Sequence, residues 1–145
     1  MKYILLVILP LVYDLFSKKI AFYAGLAEVK NRGISFGLAQ GHVGIISAFN
    51  ILISALIVLL IFKMKKEKPL LACGLSLLLG GTLANLSERL YLGYVTDWIL
   101  CPLSGYLIKG GLYFNIADVF ICLGALLMLL QYYLVSNTYL KEQIS

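Results

Sequence analysis

Three of the chain's seven acidic residues, Glu88, Asp97 and Asp118, fall in one stretch, GGTLANLSERLYLGYVTDWILCPLSGYLIKGGLYFNIAD, running from Gly80 to Asp118. Asp97 and Asp118 are 21 residues apart, so a single helix does not pair them. A chain that folds back between them can. Two carboxyls about 3 Å apart cannot both ionise, and they share a proton. One then works as a general base on water and the other as an acid toward a carbonyl, which is the chemistry of hydrolysis. Such a pair titrates as a unit. Asp118 opens an apolar run, and the field at a helix N-terminus would favour its negative form. Asn31, Asn85 and Asn115 offer neutral amides that could bond a substrate backbone or hold the acids. Arg89 could meet a lipid phosphate or a peptide carbonyl. A plainer reading stays open: one acid caps a helix, the other is a loop residue, and the asparagines cap helix ends.

What must position these residues is apolar. The chain is 61% hydrophobic and only 13% charged, with a mean hydropathy of +0.94. Soluble domains average about 45–50% apolar and about 25% charged, so the composition implies an integral membrane protein. A spanning helix needs roughly 20 apolar residues. Four such segments can be drawn, at about 3–24, 43–62, 70–87 and 116–135, in one membrane domain covering 1–145. The first begins like a secretory signal, but no A-x-A-like cleavage site follows Tyr13, and it reads as a retained helix that Pro10 may bend. Asp14 and Lys18 are four apart on it and can pair across one face. Either the pair fixes helix packing, or Asp14 couples proton or cation movement in a small four-helix transporter. Residues 25–42 are too polar and Gly-rich to span. Val29–Phe36 has strand character, with Gly33 and Gly37 as bends. Gly74, Gly80, Gly81 and Ala84 give the third span a close-packing face.

Five of the six positions in KMKKEK at 63–68 are charged, four of them basic. Clustered lysines mark a cytoplasmic loop. Both termini are then inside, while 25–42 and 88–115 lie outside, with Trp98 and several tyrosines at headgroup level. The net charge of +5 is thus accounted for by orientation and not by a nucleic-acid partner. Cys73, Cys101 and Cys122 form no CxxC or disulfide framework, and nothing sets His42 beside a thiol.

Four segments resemble the bacterial lipoprotein signal peptidase (signal peptidase II) family of aspartic membrane proteases. DLFSK at 14–18 is similar to the family's D-x-x-S-K, and NRGISFGL at 31–38 to N-x-G-x-x-F-x-x. GGTLANLSERL at 80–90 with GYVTDWI at 93–99 resembles G-G-x-x-G-N-x-x-D-R followed by V-x-D-F. FNIADVFI at 114–121 resembles F-N-x-A-D-x-x-I. The resemblance implies an all-α membrane protein of four transmembrane helices, with a small extracytoplasmic strand-like cradle and a surface loop or helix between the third and fourth. It implies removal of signal peptides from diacylglyceryl-modified prolipoproteins, before the lipidated cysteine, at the outer face of the bacterial cytoplasmic membrane. Asp97 and Asp118 match the catalytic dyad. Asn31, Asn85, Glu88, Arg89 and Asn115 match the residues around it, and Asp14 and Lys18 a supporting pair. Membrane lipid and globomycin-type inhibitors are the implied partners, with no metal and no cofactor. Two positions depart from the pattern: Ala84 replaces a glycine, and Glu88 replaces an aspartate, with one extra methylene. A return to aspartate at 88 is expected to hold or raise activity. A relative that binds signal peptides without cutting them is a third reading, supported by Glu88 alone.

Overall fold

The structure, a computed structural model, describes residues 1–33, 41–102, 104–107 and 111–144, with backbone alone at 107 and 138–144. In chain order its elements are α1 (Lys2–Tyr23), β1 (Val29–Asn31), α2 (Val43–Met64), α3 (Pro69–Leu92), β2 (Val95–Asp97), β3 (Ile99–Leu100), the one-turn α4 (Ser104–Leu107), β4 (Tyr113–Phe114) and α5 (Ile116–Ile144). The protein is mostly helical. Among the described residues three helices are long and apolar enough to cross a membrane: α2, α3 and the Ile116–Asn137 part of α5. The fourth long helix, α1, has the length of α2 but carries Asp14, Lys18 and Lys19 and falls outside that class.

The central helix is α3, which packs on α1, α2 and α5. Its glycines explain how. A Cβ on Gly74 would lie 2.7 Å from the Gly124 carbonyl oxygen, and one on Gly81 would lie 2.5 Å from that of Ala117. At Gly80 a Cβ would meet the Val7 carbonyl and the Pro10 ring. Bare backbone therefore sets the α1–α3 and α3–α5 separations. Ala84, fully buried, takes its methyl group into the same packing. Between α2 and α3 the contact is aliphatic, through Ile57, Ile61, Leu75 and Leu79. Outward, Leu52, Leu59, Phe62, Leu126 and Leu129 are exposed. Large apolar side chains in such number suit lipid contact and not water.

The third helix does not taper at residue 87. It starts with Pro69 at its first turn and continues to Leu92, where Gly93 (φ +76°) bonds its N–H to the Arg89 carbonyl. A left-handed residue that glycine adopts without strain ends the helix there. Glu88 and Arg89 thus belong to α3 and not to the loop, Glu88 pairing with Lys18 and Arg89 bonding the Gly33 carbonyl.

The strands form two small antiparallel pairs, one of which joins the segment after α1 to the segment after α3. β1 and β2 align Val29 with Asp97, Lys30 with Thr96 and Asn31 with Val95. β3 and β4 align Ile99 with Phe114 and Leu100 with Tyr113. The extended segment expected over Val29–Phe36 is observed at Val29–Asn31, and 34–40, with Phe36 and Gly37, lies outside the described residues. Cys73, Cys101 and Cys122 are free thiols. His42 precedes α2 without a side-chain capping bond.

Candidate active site

The site gathers where the start of α5, the end of α3 and β2 meet. Asn115 is the N-cap of α5, and it forms a reciprocal pair with Asp118 three residues on. The Asn115 side-chain oxygen accepts the Asp118 N–H (3.0 Å), and Asp118 Oδ2 accepts the Asn115 N–H (3.2 Å). This is capping-box geometry built from Asn and Asp, and it satisfies donors that a helix start leaves open. The plain reading of Asp118 as a capping residue is therefore correct, and it leaves Oδ1 available. Asn85 of α3 donates to that oxygen at 2.9 Å.

Asp97 is almost fully buried at the end of β2. Its Oδ2 accepts from the Asn31 amide at 3.0 Å, and its Oδ1 from the Asn115 amide at 2.6 Å. Asn31 is oriented for this by its own oxygen, which accepts the Gly33 N–H at 2.9 Å in an Asx turn. The second hydrogen of the Asn115 amide goes to the Asn85 oxygen at 3.1 Å. Asn115 is thus saturated and touches both acids. No hydrogen bond joins the two carboxyls directly. Asn115 links them by two different groups, its side-chain amide on Asp97 and its backbone N–H on Asp118.

Burial pushes the Asp97 carboxyl up to about 6; the Asn31 bond opposes this, and the Asp118 charge adds to it, while the Asn115 bond and Lys18 hold it down. Asp97 therefore holds its proton to a higher pH than an ordinary aspartate does. Asp118 lies in the first turn of α5.

Around this centre sits a buried ionic cluster. Lys18 Nζ lies 2.6 Å from Asp14 Oδ2 and 2.5 Å from Glu88 Oε2. The other Asp14 oxygen accepts the Ala117 N–H of α5 at 2.9 Å. Glu88 Oε2 also accepts the Thr96 N–H of β2 at 3.1 Å. Asp14 is thus spent on an ion pair and a helix cap, which removes the free intramembrane acid that a transporter reading requires. Arg89 Nη2 donates to the Gly33 carbonyl at 3.0 Å. Its Nε–H and the Trp98 indole N–H are shielded without an acceptor among the described residues.

All nine residues singled out in the sequence fall within this region. Sequence reasoning missed the backbone groups they serve, namely the N–H groups of Thr96 and Ala117 and the carbonyl of Gly33. It also missed the Lys18–Glu88 contact, for which there was a signal. An acid buried in a helix needs a cation, and Lys18 is the lysine lying among apolar residues of α1.

The chain matches, over residues 4–134, the family model described as Signal peptidase (SPase) II. It belongs to the signal peptidase II family. A lipoprotein signal peptidase of Ectopseudomonas mendocina is 35% identical over 69% of this chain and 60% of its own length. That of Brucella ovis is 33% identical over 77% of this chain and 69% of its own. The alignment with the first therefore spans under two thirds of that relative. Two solved bacterial membrane enzymes share the fold. One, at 2.3 Å resolution, has a TM-score of 0.70 and 21% identity over 94% of this chain and 89% of its own. The other, at 1.9 Å, has a TM-score of 0.75 and 23% identity over 89% and 90%. These likenesses make the chain a membrane protein of a protease family, built on a fold that bacterial membrane enzymes use.

Proposed function

We propose that this signal peptidase II family member is an aspartic endopeptidase that removes signal peptides from diacylglyceryl-modified prolipoproteins, cutting before the lipidated cysteine. The observation that carries the reading is Asn115, whose side-chain amide bonds a buried acid on β2 and whose backbone N–H bonds an acid in the first turn of α5. Asp97, held toward its protonated form, gives its proton to the scissile carbonyl oxygen. Asp118 takes a proton from the attacking water. The resulting tetrahedral intermediate collapses as a proton passes to the leaving amine, and the pair returns to one proton shared between two acids. Asn31, Asn85, Asn115 and Arg89 hold the acids and the chain over them.

The membrane arrangement follows from the same reading. Residues 1–145 form one peptidase domain with α1 as its fourth span, its charges neutralised inside by Glu88. The lysine cluster at 63–68 is cytoplasmic, both termini are inside, and the dyad lies at the outer face of the bacterial cytoplasmic membrane. A substrate anchored by its diacylglyceryl group reaches that depth without a soluble domain to deliver it. Membrane lipid flanks the exposed apolar faces, and globomycin-type peptides compete for the site.

The test is cleavage of a diacylglyceryl prolipoprotein by the purified chain in lipid nanodiscs, with and without globomycin. Release of the signal peptide, blocked by globomycin, is expected. An inserted and folded protein that binds the precursor without cutting it would replace this reading with that of a non-cleaving relative.

A further inference from the structure

One buried ammonium touches the supports of both candidate catalytic acids. Lys18 pairs with Asp14 and with Glu88. Asp14 holds the N–H of Ala117, the residue before Asp118. Glu88 holds the N–H of Thr96, the residue before Asp97. The two arms are not equivalent. The Ala117 amide belongs to a long helix that would stand without Asp14. The Thr96 amide belongs to a strand of three residues. That N–H faces away from β1 toward α3, so the β1–β2 pairing leaves it unsatisfied. Two residues later, the Trp98 N–H bonds the Phe114 carbonyl at 3.2 Å on the same edge. Asp97 therefore hangs between two backbone anchors, and one of them is a side chain.

We infer that Glu88 is a positioning residue for Asp97: fixed by Lys18, it holds the Thr96 amide and so sets the height and rotation of Asp97, and it needs the length of glutamate to do this. One oxygen, Oε2, receives both the ammonium and the amide. Aspartate would withdraw that oxygen by about 1.5 Å, one carbon–carbon bond. The helix cannot follow, because Gly80 and Gly81 seat α3 directly on the backbone of α1 and α5. A shorter carboxylate keeps the ammonium, the stronger attraction, and loses the amide. The departure from the family's aspartate is then a local fit, and the expectation that aspartate at 88 holds or raises activity is reversed.

The inference rests on the dyad reading for its effect on rate, and its structural half can be tested apart from rate. Glu88→Gln keeps the length and an acceptor oxygen but loses the charge. Glu88→Asp keeps the charge but loses the length. Cleavage of the lipidated precursor is expected to order as wild type, then Glu88→Gln, then Glu88→Asp, with kcat for Glu88→Asp down about tenfold or more and KM within about twofold. Amide exchange over 95–97 should be faster in Glu88→Asp than in Glu88→Gln or wild type. A role in charge balance alone predicts the opposite order in both measurements. Glu88→Asp cutting as well as wild type, or exchanging as slowly at 95–97, overturns the inference. If the wild type itself does not cut, the functional proposal fails and the exchange order still decides the positioning role.

Discussion

Asp118 and Asp97 each carry two donated hydrogen bonds, one on each carboxylate oxygen, yet they are held by different kinds of structure. Asp118 stands in the first turn of a 29-residue helix and closes a reciprocal loop with Asn115, three residues away. Most of what orients it is local in sequence. Asp97 ends a three-residue strand and is oriented by Asn31 and Asn115, while its backbone neighbours hang from Glu88 and Phe114. Nothing that holds it is local. A helix start keeps its carboxylate through the cooperativity of the helix, whereas a short strand keeps one only through its side-chain links. The contrast teaches that one acid's position is robust and the other's is adjustable.

The sharpest way to break the comparison is to remove each acid in turn. Asp97→Asn and Asp118→Asn should each lower cleavage of a lipidated prolipoprotein by about 10²–10⁴-fold, the scale of general acid–base catalysis, with the protein still inserted. Full activity in either variant would end the dyad reading. Next in size, Asn115→Ala removes the amide that bonds Asp97 and Asn85 and the oxygen that caps the Asp118 N–H at the start of α5. It should lower kcat on the order of a hundredfold and cost about 1 kcal/mol of stability. Asn31→Ala, which touches Asp97 alone, should cost about tenfold with little change in stability; equal effects from the two variants would contradict a shared bridge at Asn115. The smallest effect lies in pH. The raised Asp97 pKa, about 6 against an ordinary 3.8, means that the folded protein binds this proton more tightly than the unfolded chain. The associated stability is complete below the ordinary value and lost as pH rises through 6. Wild type should therefore lose more thermal stability between pH 4 and 7 than Asp97→Asn does, and parallel profiles would count against a buried, proton-holding Asp97.

Much of this was legible in the chain. Apolar runs without charge announced α2, α3 and α5, because a bilayer admits nothing else of that length. The first span was harder to read. Its charges belong to a cluster completed by Glu88, 70 residues away. The end of α3 was misread at 87 for the same reason, since polar residues look like a helix terminus until their partners are known. The capping relation of Asn115 and Asp118 was open to sequence reasoning at a spacing of three. The service of Asp14 to Ala117 was not, because it links residues 103 apart.

By itself the sequence determined the membrane class, the apolar helices and the set of acids and amides able to do hydrolysis. These depend on hydropathy and helix periodicity, which act over a few residues. Only the tertiary structure decided that Asn115 lies between the acids, that Lys18 is shared by Asp14 and Glu88, and that Glu88 reaches the Thr96 amide. Those facts depend on how closely α1 and α5 approach α3, a distance set where bare glycine backbone meets backbone. The types of the residues stated what chemistry was available, and the packing of the helices selected which groups could take part in it.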